Sequence, residues 1–331
     1  NDMQTYLREK NNAEKNLVRF YYDDKESLFN RVSYQKGGYI LHMMRNYLGD
    51  SAFFKGLNLY LTTNKFKNGE AHQLRLAMEE VSGQDLNWFF NQWYFNSGHP
   101  DVDISYEWLE ASKQQKVTIT QKQKNQIFQF PLAIDIYNGS KKTRSNVWVK
   151  DTTVTFLLPV DSQPDLVNVD GDKIMLWKKE DHKTAAQYVH QFNQCALFID
   201  RKESIDYIAE HFDSSGMQRQ VMINGLMDRF YSIRQIALRF WKKNAAIMNA
   251  DEEKIIYTIA QKDKHQPTRA LAIDVLAKKN GKFYEAFFKK CTSDSSYSVA
   301  GAALEALLTV NPNAAIAMEN NLKQDADGRL K

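Results

Sequence analysis

Leu28-Phe29-Asn30-Arg31-Val32-Ser33-Tyr34-Gln35-Lys36-Gly37-Gly38-Tyr39-Ile40-Leu41-His42-Met43-Met44-Arg45 is the stretch on which the reading of this chain turns. Within and just beyond it, Val32, Tyr34, Ile40, Leu41, Met44, Tyr47 and Leu48 recur largely at three- and four-residue steps, which predicts a helix with one buried face. Gly49 supplies a stop, and Asp50 or Ser51 can cap a second helix carrying Phe53, Phe54, Leu57, Tyr60 and Leu61. Asn68-Gly69 reads as a turn, and a third helix with Leu74, Ala77, Met78 and Val81 ends at Gly83. Asp85 can cap a fourth bearing Leu86, Phe89, Phe90 and Trp93, which Gly98-His99-Pro100 breaks. Read from periodicity alone, Tyr34 is one more aromatic on the buried face.

Beyond this helical segment, which spans residues 1–98, the period changes to two. Val102, Ile104, Tyr106 and Trp108 alternate with Asp103, Ser105 and Glu107, as on a strand with one wet face. Val117 and Ile119 repeat the pattern, as do Leu132, Ile134 and Ile136, with Asn138-Gly139-Ser140 as a hairpin turn leading to Val147–Val149. Further strands are expected at Thr153–Leu158, Leu166–Val169 and Ile174–Trp177, with Asp170-Gly171-Asp172 as a turn. Residues 99–182 therefore read as a small β-sandwich.

Residues 183–331 are helical again and repeat. Tyr231-Ser232-Ile233-Arg234, Pro267-Thr268-Arg269-Ala270 and Tyr297-Ser298-Val299-Ala300 open three similar Ala- and Leu-rich runs, 36 and 30 residues apart at the hydroxyl residue. Each Ser or Thr suits an N-cap, and the small residues allow close helix approach. The expectation is a stacked HEAT/armadillo-like α-solenoid, with a plain helical bundle as the alternative. The tail from Asn311, through Asp325-Ala326-Asp327-Gly328, is expected to finish one helix and fray.

Composition narrows the function. The 44 basic and 40 acidic residues are interspersed, which argues against a nucleic-acid footprint. No run approaches the ~20 apolar residues of a transmembrane helix. Cys195 and Cys291 lie in no metal-ligand spacing; each reads as a small buried hydrophobe, with a disulfide as the alternative. Of His42, His72, His99, His182, His190, His211 and His265, no two stand four apart, so no H-E-x-x-H zinc helix exists here. No P-loop, G-x-G-x-x-G or G-x-S-x-G is present either. Each histidine, taken singly, reads as structural or solvated.

The opening stretch resembles the zinc aminopeptidase family of aminopeptidase N, the gluzincin aminopeptidases. Its Tyr-x-Lys-Gly segment opening a Leu-, Met- and Arg-rich helix is matched by Tyr34, Lys36, Gly37, Leu41, Met44 and Arg45. The likeness runs on through Leu48-Gly49-Asp50, Tyr60-Leu61, Val81-Ser82-Gly83-Gln84-Asp85-Leu86, Phe89-Phe90-Asn91-Gln92-Trp93 and Gly98-His99-Pro100, roughly 70 residues without a gap. It does not extend in such detail to the later segments, but their order is similar to the family's.

The resemblance implies a multidomain, mainly α protein. Residues 1–98 would be the C-terminal helical half of a thermolysin-like catalytic domain, followed by the β-sandwich and the helical repeats. It also implies that Tyr34 faces the zinc site and that its hydroxyl stabilises the tetrahedral transition state, with Gly37 and Gly38 admitting a close-packed backbone. A phenol donor suits that task, because its hydrogen bond strengthens as charge builds on the carbonyl oxygen. The family's zinc ligands and general-base glutamate precede this tyrosine and match no residue here. The expectations are thus a metallo-aminopeptidase parent acting on peptides, with zinc in the parent and none in this C-terminal fragment. The fragment alone would be inactive and would self-associate through its exposed half-domain face. A non-catalytic scaffold derived from the same family, presenting the solenoid as its binding surface, is the alternative.

Overall fold

The computed structural model describes residues 2–124 and 126–322. The expected fraying at Asp325–Gly328 lies outside them. The chain forms two compact units, Asn1–Lys183 and Thr184–Lys331.

The first unit opens with α1 (Asp2–Leu7) and short 3-10 turns, then a π-helical turn, Val32–Lys36, that runs directly into α2 (Gly37–Leu48). α3 (Asp50–Thr63), α4 (Ala71–Ser82) and α5 (Asn87–Trp93) follow. α2 buries Ile40 and Met44, as its periodicity predicts, and also Met43, which the predicted stripe lacked; Leu41, Tyr47 and Leu48 of that stripe are partly buried. Gly49 (φ +80°) and Gly83 (φ +68°) end α2 and α4 in conformations that a side chain would strain.

The helix caps differ from expectation. Asp50 does not cap α3; its carboxylate is drawn to Arg45, 2.8 Å from Nε. Asp85 holds the backbone N–H of Asn87 at 2.8 Å, one residue short of a cap. The turn expected at Asn68-Gly69 falls earlier, at Asn64–Phe66, where Phe66 has φ +60°.

Seven strands make two sheets, β5-β2-β1-β7 and β4-β3-β6. They are β1 (Asp101–Leu109), β2 (Gln114–Gln121), β3 (Phe130–Asn138), β4 (Lys141–Val149), β5 (Thr153–Pro159), β6 (Leu166–Val169) and β7 (Lys178–Asp181). Alternation predicts the buried faces: Val102, Ile104, Val117 and Ile119 from one sheet join Leu132, Ile134, Ile136 and Val149 from the other. The same core takes in Ile40, Met44, Phe89, Phe90 and Trp93 of the helices. The hairpin turn at Asn138–Lys141 is as expected, with Gly139 at φ +58°.

The strand expected at Ile174–Trp177 is absent. The Asp170 carboxylate takes the N–H groups of Ile174 (3.1 Å) and Met175 (3.0 Å), and Leu176 N–H meets the Met43 sulfur at 3.4 Å. With those donors satisfied off any ladder, the strand starts at Lys178 and pairs parallel to β1.

The second unit is helical throughout: α6 (Ala185–Gln194), α7 (Phe198–Glu210), α8 (Gly216–Leu226), α9 (Tyr231–Lys243), α10 (Ala250–Lys262), α11 (Gln266–Asn280), α12 (Glu285–Cys291), α13 (Tyr297–Val310) and α14 (Pro312–Leu322). Ser232, Thr268 and Ser298 are not its N-caps; those positions fall to Phe230, His265 and Ser296. The repeated device is an Arg–Asp pair. Arg201 meets Asp228, Arg234 meets Asp263 and Arg269 meets Asp294, each at 2.6 Å. In every case the same aspartate holds the backbone N–H two residues on, of Phe230, His265 or Ser296, at 2.8–3.0 Å. Each arginine of one helix thus fixes the loop that launches the next helix but one. Cys195 and Cys291 are buried thiols.

Candidate functional site

Asn30 organises the entry to the π-helical turn: its Oδ1 accepts the N–H of Val32 at 2.9 Å and of Ser33 at 3.2 Å. Tyr34 N–H donates to the Asn30 carbonyl at 3.1 Å. The wider turn directs Val32 and Lys36 into the core and leaves Tyr34 outside. The residue is 60% exposed, so the placement on a buried face suggested by periodicity is corrected. A regular 3.6-residue spacing does not hold where i→i+5 pairing takes over. Among the described residues the Tyr34 hydroxyl has no hydrogen-bond partner, and its ring lies 6.3 Å from that of exposed Phe29.

The ground beside Tyr34 is open. A Cβ added at Gly38 would meet nothing within 4 Å, and one at Gly37 would make only ordinary contact with Leu17. Phe20, Tyr21 and Tyr22, earlier in the same unit, are exposed as well.

Beneath the turn lies a group that motif reading quoted without a role. Lys36 is fully buried, and its Nζ has no hydrogen-bond partner. Burial pushes its pKa down to about 8. His99 is pushed down to about 4, first by burial and then by the nearby Lys36 charge. Its Nδ1 is 3.2 Å from the hydroxyl of buried Tyr6, whose pKa burial raises. Only the fold brings Lys36 and His99 together, 63 residues apart in the chain.

Among the described residues no group of three potential zinc ligands lies at Tyr34. Among the described residues one group of three potential metal ligands occurs, Asp103, Glu180 and His182, with ligand atoms within 4.8 Å of one another. It lies on the β1–β7 pair, and Lys122 already sits 2.7 Å from Glu180 and 3.9 Å from Asp103. His182 Nε2–H donates to the Asp103 carboxylate at 2.9 Å, and that bond holds its pKa above the usual range. His72 is stacked on Phe95 at 4.7 Å, and His42 lies on the outer side of α2, its pKa lowered by partial desolvation of the ring and then by the Arg45 charge.

Residues 4–93 match the Peptidase family M1 domain. The chain is 25% identical over 254 residues to "Probable aminopeptidase 2" of Sulfurisphaera tokodaii, covering 72% of this chain and 30% of that protein. It is 32% identical over 126 residues to "Aminopeptidase N" of Lactococcus lactis, covering 37% of this chain and 15% of that protein. In fold it is similar to Legionella pneumophila aminopeptidase A, solved in complex with aspartic acid: TM-score 0.72, 14% identity, 98% of this chain and 45% of that one. The resemblance to the zinc aminopeptidases of the aminopeptidase N type is borne out. This chain is mainly helical, with a small β region and a helical C-terminal part, and in this it is similar in fold to that aminopeptidase. It spans less than a third of the length of either of these two curated relatives. No described helix is long and apolar enough to cross a membrane.

Proposed function

We propose that the protein is a zinc-dependent aminopeptidase that removes N-terminal residues from peptides, and that this chain contributes the transition-state tyrosine but not the metal. One observation carries the reading. Within the segment that matches the M1 domain, the Tyr34 hydroxyl is exposed and unpartnered on a π-helical turn, where core packing would have sealed it. A segment outside this chain would hold the zinc, whose chemistry is to polarise the scissile carbonyl and activate water. This chain's part is to present a phenol O–H that donates to the carbonyl oxygen as charge develops there. Gly38 leaves room beside it for the neighbouring backbone.

On this reading residues 1–98 finish the catalytic domain, 99–182 form a β-sandwich and 183–331 a HEAT/armadillo-like cap. The successive Arg201–Asp228, Arg234–Asp263 and Arg269–Asp294 pairs support the repeat reading. The chain alone would be inactive and zinc-free. Exposed Phe20, Tyr21, Phe29 and Tyr34 favour self-association in isolation. In the full-length enzyme, Tyr34→Phe should lower kcat about 10²–10³-fold with the fold intact, measured on an aminoacyl anilide. Near-normal turnover would remove Tyr34 from the mechanism.

The second reading is a non-catalytic scaffold of the same family. The stacked helical unit favours it, since such arrays present extended binding surfaces. The two separate cleanly in the full-length protein: stoichiometric zinc with anilide hydrolysis supports the enzyme, and their joint absence in a folded protein supports the scaffold.

A further inference from the structure

Little packing fixes the Tyr34 ring: it is largely exposed, and its ring neighbour, Phe29, is exposed too. Its direction therefore follows from its backbone, the π-helical turn Val32–Lys36, in which Gly37 N–H donates back to the Val32 carbonyl. Such i→i+5 turns are rare, so this one needs a local cause. Burial ahead of the turn does not supply it, because the 3-10 turn Lys25–Leu28 buries no residue.

Hydrogen bonds to Asn30 supply it instead. A helical turn opens with backbone N–H groups that find no partner inside it. Asn30 takes the first three: its Oδ1 accepts from Val32 at 2.9 Å and Ser33 at 3.2 Å, and its carbonyl accepts from Tyr34 at 3.1 Å. The amide is held from behind, since its Nδ2 donates to the Ser27 carbonyl. Ser33 Oγ donates to the Leu28 carbonyl, and Arg31 reaches Glu9 at 2.9 Å and the Thr5 carbonyl at 3.2 Å, which ties the turn to α1. One oxygen facing two consecutive N–H groups fixes where the turn begins, and so which side chain leaves it outward. We propose, on the catalytic reading of Tyr34 above, that Asn30 is a positioning residue for the peptidase reaction, its Oδ1 fork aiming the Tyr34 phenol.

Asn30→Ala removes the fork, whereas Asn30→Asp keeps an oxygen that accepts such N–H groups equally well. In the full-length enzyme Asn30→Ala should lower kcat about 10–100-fold with KM within about 2-fold, and Asn30→Asp should restore most of the loss. In a Tyr34→Phe background Asn30→Ala should cost no more than about 2-fold further, because the group it aims is gone. In this chain by itself, hydrogen exchange of the Val32 and Ser33 amides should quicken about 10-fold in N30A and recover in N30D, while α3 and α4 keep their protection. Full kcat in N30A, an undiminished loss in the Tyr34→Phe background, or unchanged exchange would each overturn the proposal alone. Near-normal turnover of Tyr34→Phe by itself, or none in the folded wild type, would overturn the catalytic reading and this inference with it.

Discussion

Arg234 grips Asp263 through two parallel bonds, Nε to Oδ2 at 2.6 Å and Nη2 to Oδ1 at 2.7 Å. Oδ1 also receives the His265 N–H at 2.9 Å, so one carboxylate fastens α9 to the start of α11. The pair is nearly buried, with side chains 15% and 5% exposed. Asp263→Ala strands a guanidinium and frees a turn. It should destabilise the helical unit by about 3–5 kcal/mol in urea unfolding followed by circular dichroism. Glu110→Ala, which breaks the exposed Lys113–Glu110 pair, should leave the unfolding midpoint nearly unchanged, because solvent screens that pair.

Lys36 carries the opposite expectation. An amine buried without a partner is a cost that an apolar side chain of similar length avoids, so Lys36→Met should stabilise this chain by about 1–3 kcal/mol. The pH dependence agrees in sign. The folded pKa, near 8, lies below the unfolded value, so the unfolded chain holds more protons between pH 8 and about 10.5. Wild-type stability should climb with pH across that window, and the K36M protein should lose this component of the slope. A destabilised variant would mean that Lys36 has an anionic partner.

His99 gives the corresponding acid limb. Its folded pKa near 4 lies below the unfolded ~6.5, so stability should be full above pH 6.5 and fall as pH drops towards 4. Thermal melts over this range should flatten in the His99→Phe protein, which has nothing to protonate there.

Tyr34 should matter to chemistry and not to folding. Its hydroxyl is unpartnered and its ring is largely in solvent, so Tyr34→Phe should change stability by less than about 0.5 kcal/mol. A loss of several kcal/mol in denaturant titration would assign the residue to packing instead.

Much of this architecture was legible because it is local. Helix stripes and alternating strands repeat at the period of the backbone itself, so Ile40 and Met44, or Val117 and Ile119, announce their buried faces. Glycine stops at 49 and 83 are equally local, since only φ decides them. The strand expected at Ile174–Trp177 failed for a non-local reason: Asp170 and Met43 took its N–H groups.

The sequence by itself determined the order of helical, β and helical segments, the Tyr-Gln-Lys-Gly motif and its kinship. Tertiary structure alone decided that a π turn sends Tyr34 outward and Lys36 inward, and that Lys36 charges the surroundings of His99. The physical reason is the range of the interactions. Periodicity and φ preferences act within a turn or two of chain, whereas burial, desolvation and unmet hydrogen bonds depend on neighbours that only folding supplies.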